Sequence, residues 1–163
     1  MSATVILDAD FLSAFLKIER LPLLLAFYQV ERLYVPPAVY REVAVTTLLP
    51  SLLAFSSIRV ESPAPERLQS VANHDAFGKL GAGEQEAIAL ALDHPDAILL
   101  SNDRQVRRLA TGCGVTVINL PAFLLACKLA GMLDHAAMAD ITAALQAKDH
   151  YGFRQDLLEL LLG

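Results

Sequence analysis

The sequence predicts an α/β fold, a parallel sheet covered by helices on both faces. Three observations predict it. Short apolar runs of strand length alternate with helical patterns along most of the chain, the order that joins parallel strands through helices. No internal repeat or linker divides the chain, and 163 residues suit one domain with a real core. From Pro121 onward only helical patterns remain.

The first strand is Thr4-Val5-Ile6-Leu7, apolar and partly β-branched, cut off by Asp8 and Asp10. Ligand crevices in α/β proteins open at the carboxyl ends of strands, so Asp8 is expected at that rim. Phe11, Leu12, Phe15 and Leu16 then repeat at helical spacing, and a second apolar helix is expected from Pro22 to Val30. Leu33-Tyr34-Val35 is a short strand, and Pro36-Pro37 opens a helix, because proline suits the first turn. On that helix Glu42 follows Val39 by three residues and Ala38 by four, beside the apolar stripe. A carboxylate there lies at the rim of the core or aims into a pocket.

Ser56 to Glu61 is expected as a strand, Ser62 to Pro65 as a loop and Glu66 to Asn73 as a weak helix, followed by an irregular, mobile stretch from His74 to Leu80. Gly81-Ala82-Gly83 leads into Glu84 to Leu92, strong helix formers throughout. Glu84 shares its face with Ala87, Ile88 and Ala91, the inward side, whereas Glu86 aligns with Leu90 and Asp93 on a more exposed side. Ala97 to Leu100 has a buried-strand pattern ending at Ser101-Asn102-Asp103, where a helix bearing Arg104, Arg107 and Arg108 begins. Val115 to Ile118 is a further strand, and Pro121–Ala130, Asp134–Ala147 and Gln155–Leu162 are helices.

Composition narrows the function. Apolar residues make up 55% and charged residues 19%, which excludes a disordered chain. The longest apolar stretch, Leu21 to Tyr28, is too short to cross a bilayer, and no basic segment leads an apolar run at the start. Cys113 and Cys127 lack neighbours at metal-ligand spacing and read as reduced thiols, so the expected location is the cytoplasm, with no membrane partner. A net charge of −5 opposes a broad phosphate-binding surface but leaves room for an enzyme whose metal ions supply local positive charge.

Asp8, Glu42, Glu84 and Asp103 stand in separate elements, each at a strand end or on an inward helix face. If they converge, they repel one another and cannot all stay charged without cations. Hard divalent ions such as Mg²⁺ or Mn²⁺ want such oxygen ligands, and two of them can hold a phosphodiester and activate water. The competing reading is a solvated rim of unconnected acids.

The residues around these acids carry a resemblance. Val5-Ile6-Leu7-Asp8 with Ala9-Asp10-Phe11-Leu12, Val35-Pro36-Pro37-Ala38-Val39-Tyr40-Arg41-Glu42-Val43, Leu80-Gly81-Ala82-Gly83-Glu84-Gln85-Glu86-Ala87-Ile88 and Leu99-Leu100-Ser101-Asn102-Asp103-Arg104 follow in order. In these blocks the chain resembles the PIN-domain ribonucleases, the family that contains VapC-type toxins. The subgroup with a Gly-Glu helix start, a Lys-Leu-Ala-Gly-like turn at Lys128 to Gly131 and a late Gly-Phe-Arg at Gly152 to Arg154 is the most similar. The resemblance implies a single three-layer α/β/α PIN-like domain over 1–163, with a core at about 3–130 and a C-terminal helical extension at about 131–163. It also implies Mg²⁺- or Mn²⁺-dependent cleavage of RNA, with Asp8, Glu42, Glu84 and Asp103 as catalytic metal ligands. Ser101, Asn102 and Arg104 would support the ligands or touch substrate. A small antitoxin protein and a homodimer are the implied partners.

The pattern departs from the family in two places. Relatives often carry a further acid beside or soon after the position of Asp103; here Asn102 precedes it and the next acid is Asp134, at a helix start. That implies one well-held ion and a second held weakly or with substrate, and it keeps open a degenerate PIN fold that binds RNA or a protein without cutting. Asp10 stands where many relatives carry Asn, and either contacts the ligands from behind or caps the following helix. Arg107 and Arg108 either hold substrate phosphates or form a solvated face.

Other signals are weaker. Asp8-Ala9-Asp10 is also similar to the paired aspartates of haloacid-dehalogenase-like phosphatases, but Phe11-Leu12 replaces the small residues that follow there. Gly81-Ala82-Gly83 lacks both a preceding strand and the full dinucleotide fingerprint. His74, His94, His135 and His150 are scattered without zinc spacing. The leucines at 157, 158 and 160–162 either contact a partner or pack back on the domain.

Overall fold

The structure, a computed structural model, describes residues 2–163. Its elements are, in order, β1 (Thr4–Leu7), α1 (Ala9–Lys17), α2 (Leu21–Tyr28), β2 (Leu33–Val35), α3 (Pro37–Ala44), α4 (Leu49–Ala54), β3 (Ile58–Val60), α5 (Pro65–Asn73), α6 (Ala82–Asp93), β4 (Ala97–Leu100), α7 (Arg104–Gly112), β5 (Thr116–Ile118), α8 (Leu120–Leu129), α9 (His135–Lys148) and α10 (Gln155–Leu162). All five strands are parallel, in the order β3-β2-β1-β4-β5. The fold is the three-layer α/β/α arrangement expected from the alternation of elements.

Two cores explain the layers. Successive side chains of a strand point to opposite faces. Val5 and Leu7 of β1 enter one core, with Phe11, Phe15, Leu24 and Phe123, while Ile6 enters the other, with Ile88, Leu99 and Val106. β1 is thus buried on both faces, which is why it reads as a continuous apolar run. Phe11 stacks on Phe15 at 5.1 Å between ring centroids, and Phe15 meets Phe123 edge-on at 5.8 Å. These contacts tie α1 to α8. Met138, Ile141, Leu145 and Leu161 bring α9 and α10 into the same core. The packing-back reading of the late leucines holds for Leu161, whereas Leu160 remains exposed. Lys128 closes α10 by donating from Nζ to the carbonyls of Leu160 (2.7 Å) and Gly163 (2.9 Å), a cation at a helix C-terminus.

Several expectations change. The apolar helix runs Leu21–Tyr28 rather than to Val30, because Gln29 turns left-handed (φ 54°) and ends it. β3 and β5 are shorter than the strands expected at Ser56–Glu61 and Val115–Ile118. α4 forms where the sequence suggested no element: Pro50 suits its first turn and only Leu52 anchors it. His74–Leu80 is irregular, as expected, but it is fastened rather than loose. Phe77 and Leu80 are buried, and the Gln85 side-chain amide donates to the carbonyls of both.

Glu86 is also not on an exposed side. α6 is buried along Ala87 to Ala91, and Glu86 is half-buried against α3. Its Oε1 accepts from the Ala38 amide at 3.1 Å. Pro36 precedes α3 without a side-chain cap, and Pro37 has no N–H to satisfy. A carboxylate from another helix therefore caps α3. Gly83 completes this junction, since a Cβ there would stand 3.3 Å from Val39 Cγ2. Glu86→Ala should remove the cap and cost about 1 kcal/mol in urea unfolding, or about 3 °C in Tm, while Glu86→Gln keeps an acceptor and most of the stability. Equal losses in both variants would show that charge rather than capping holds the junction.

Candidate active site

Asp8, Glu42, Glu84 and Asp103 all line one cavity of about 130 Å³ beyond the carboxyl ends of β1 and β4. The sheet order reverses at this pair of strands, the switch point at which α/β crevices form. Register sets the neighbours: Leu7 lies opposite Leu100, and the Asp8 amide donates to the Leu100 carbonyl at 3.2 Å.

Helix capping then aims two of the acids. Asp8 is the N-cap of α1, and its Oδ1 accepts from the Phe11 amide at 2.9 Å. Asp103 does the same for α7, accepting from Val106 at 2.9 Å. Each cap uses one carboxylate oxygen. Glu84 stands in the first turn of α6 and Glu42 on α3, so the Gly83–Val39 contact and the Glu86 cap set how those two acids approach.

Asp10 is a fifth acid on the cavity wall. It does not cap α1, since Asp8 takes that role, and its side chain is exposed toward the cavity. Ala9, Val39, Gly81, Ala82 and Gly83 form the remaining wall, with no Lys or Arg among the lining residues. Ser101 is buried beneath, where its hydroxyl accepts from the Asp103 amide at 3.2 Å and stands beside Asp8. Asn102 and Arg104 are not part of the wall. Asn102 Oδ1 accepts from Leu120 at 2.8 Å and ties the β4–α7 loop to α8. Arg104 is exposed at the start of α7. Asp134 caps α9, accepting from Ala137 at 2.8 Å, and is also outside the cavity.

The electrostatics follow from this crowding. Asp8 is only 6% exposed. Burial raises its pKa from 3.8 to about 7; the Ser101 hydroxyl and Phe11 amide oppose that rise, and repulsion from Asp10 and Glu84 adds to it. Glu84 is also raised, first by burial and then by Asp103, with Asp10 and Glu42 adding smaller repulsions against a hydrogen bond to the Gly81 backbone.

The donor chemistry fits a hard divalent ion: every polar side chain lining the cavity is a carboxylate, and no protein cation lines it. Among the described residues, no three acids, histidines or cysteines close on one point as they stand. Uncompensated carboxylates spread apart, so closing around an ion requires side-chain movement. Elsewhere, a cleft of about 250 Å³ lined mainly by Phe15, Leu16, Leu21, Pro22 and Phe55 carries a single carboxylate, Glu19, and offers no such cluster. His94 pairs with Glu61 at 2.6 Å, so it too is committed away from the site.

A family model described as a PIN domain matches residues 4–161. The chain belongs to the PIN-domain family. No curated protein matches it. PIN domains are generally nucleases that act on nucleic acid and use divalent metal ions. Among the described residues, no helix of this PIN domain is long and apolar enough to cross a membrane.

The buried acid makes a pH prediction. A raised carboxyl pKa favours the folded state when the group is protonated, so Asp8 contributes fully below about 3.8 and loses that contribution as pH rises through about 7. Asn keeps the capping oxygen without the charge. In EDTA, Asp8→Asn should therefore be more stable than wild type above neutral pH, by on the order of 4 kcal/mol, with the gap closing toward acid pH. Urea unfolding across the pH range measures it, and parallel curves would show that Asp8 is not held as an uncompensated buried charge.

Proposed function

We propose that this PIN domain is a metal-dependent endoribonuclease, the toxin of a toxin–antitoxin pair neutralised by a small antitoxin, working as a cytoplasmic homodimer. The single observation that carries the catalytic part is the cavity at the β1–β4 switch point, lined by Asp8, Glu42, Glu84 and Asp103 and free of protein cations. The toxin, antitoxin and dimer assignments rest on the resemblance of the four sequence blocks to VapC-like proteins. We read the whole chain as one domain, because α9 and α10 share the core of α1 and α8.

In this reading Asp8, Glu42, Glu84 and Asp103 hold Mg²⁺ or Mn²⁺. A divalent ion held by these residues would supply Lewis-acid chemistry to the phosphodiester and to water near neutral pH. Hydrolysis forms a bond from water oxygen to phosphorus and breaks the bond to the leaving ribose oxygen, which takes up a proton. Asp8 forms the buried base of the site, and Ser101 holds both Asp8 and the Asp103 backbone in place. Arg104, Arg107 and Arg108 share one face of α7 and form no ion pair among the described residues. They are placed to attract RNA phosphates entering an otherwise acidic site.

A second reading is favoured by the open spacing of the acids and the lack of a further acid beside Asp103. In it the fold binds RNA or protein without cutting. One experiment separates the two: incubation of a mixed RNA pool with Mn²⁺, Mg²⁺ or EDTA, comparing wild type with Asp8→Asn. The nuclease reading predicts cutting that needs metal and falls at least a hundredfold in the variant, the scale of losing a group that acts on the transition state. Millimolar Mn²⁺ should also raise the Tm of wild type by a few degrees and leave that of Asp8→Asn almost unchanged, because an ion bound only to the folded state stabilises it. Equal traces of cutting in both proteins, with no thermal shift, would establish the non-catalytic reading.

A further inference from the structure

A second cavity of about 430 Å³ adjoins the carboxylate site and shares Asp10 with it. Its near wall is one face of α1, where Asp10, Ser13 and Lys17 follow at helical spacing. Asn102 reaches it from the β4–α7 loop, and the α9–α10 connection, Asp149 to Gly152, forms the far wall. That connection is fastened on both sides. Lys17 Nζ donates to Asp149 Oδ1 at 2.8 Å, the Tyr151 amide donates to the Leu145 carbonyl at 3.1 Å, and the Tyr151 ring packs on Phe153 at 4.6 Å.

Between these anchors His150 adopts a left-handed backbone (φ 54°), a conformation that costs a residue with a Cβ and so needs surroundings that enforce it. Its ring is exposed on the cavity wall and makes no hydrogen bond among the described residues. Asn102 commits its oxygen to Leu120 and leaves its amide N–H groups free.

From this geometry we infer that the groove is a nucleobase subsite, holding the base of a single-stranded RNA nucleotide next to the phosphate bound in the carboxylate site. The inference rests on the nuclease reading for its substrate class. Two carboxylates face the groove and its one lysine is already paired, so a phosphate is repelled there. A base is not: Tyr151 and His150 offer flat faces for stacking, and Ser13, Asn102 and Asp10 offer donors and acceptors to its edge. Unstacked bases of single strands are read in this way, on aromatic faces and by hydrogen bonds. Asp10, common to both cavities, makes the groove continuous with the carboxylate site.

Binding tests it independently of cleavage. Fluorescently labelled RNA hexamers of A, C, G or U are titrated in Ca²⁺, a hard ion for the same oxygen ligands, against wild type and against its His150→Gly and Ser13→Ala variants. Glycine removes the ring while relieving the positive φ, so the fold is not put at risk. The expected result is a preference for one base that shrinks about fivefold or more in both variants, the scale of one lost stacking or hydrogen-bonding contact. Equal affinity for all four hexamers, or a preference untouched by both substitutions, overturns the subsite. Should wild type fail to cut RNA while the base preference is present and lost in the variants, the nuclease reading falls and the groove stands. Should wild type cut with no base dependence of binding, the groove falls alone.

Discussion

The site depends on the parallel pairing of β1 with β4. Leu7 opposite Leu100 brings the two strand ends level, and the bond from the Asp8 amide to the Leu100 carbonyl extends that pairing one residue into the acidic rim. Both strands are buried on their faces by large apolar side chains, so their register cannot slip without turning those side chains out of the cores. Asp8 and Asp103 therefore line one cavity because the sheet holds their backbones there. Capping adds direction. Each uses one oxygen on a helix amide, which fixes the carboxylate at the helix mouth and leaves the group facing the cavity.

The other acids are held by helix packing of a different kind. α3 and α6 approach closely at Gly83 and Val39, and Glu86 spans the junction to the first free amide of α3. Neighbouring glutamates in one helix thus do different work. Glu86 fastens the scaffold and Glu84 faces the cavity, where burial and Asp103 raise its pKa. The cost of crowding five acids is met by cores far from the site, the usual relation between a stable scaffold and a destabilising functional centre.

Much of this was legible in the sequence, for physical reasons. The strands announced themselves because parallel strands buried on both faces must be continuously apolar, and Pro36-Pro37 and Gly81-Ala82-Gly83 mark helix starts. Asp8 and Asp103 could be placed because strand-end position follows from strand assignment. Glu86 could not be placed: helix periodicity gives the angle around α6 but not which neighbour covers that angle, and α3 covers it. α4 was hidden because it buries one residue, too little to imprint a pattern. Asn102 lines the groove beside Asp10, and its oxygen also serves α8, a contact between residues distant in sequence that no local signal reports. The groove under the α9–α10 connection was invisible for the same reason.

On the nuclease reading an acidic site binds a polyanion, and the charge balance decides how. Five carboxylates and a net charge of −5 oppose RNA until cations enter, so ion and RNA must strengthen each other's binding, and by linkage the effect is reciprocal. In that reading the arginines of α7, which follow Asp103 in sequence, are the cations to draw phosphates toward this edge. They lie outside the cavity wall, which leaves the phosphate at the centre to be held by whatever ion the acids hold. A protein built this way cannot rely on a carpet of lysines for affinity, and contacts to bases become the more valuable part of recognition. Ser13, Asn102, His150 and Tyr151, beside Asp10, are where we infer such contacts.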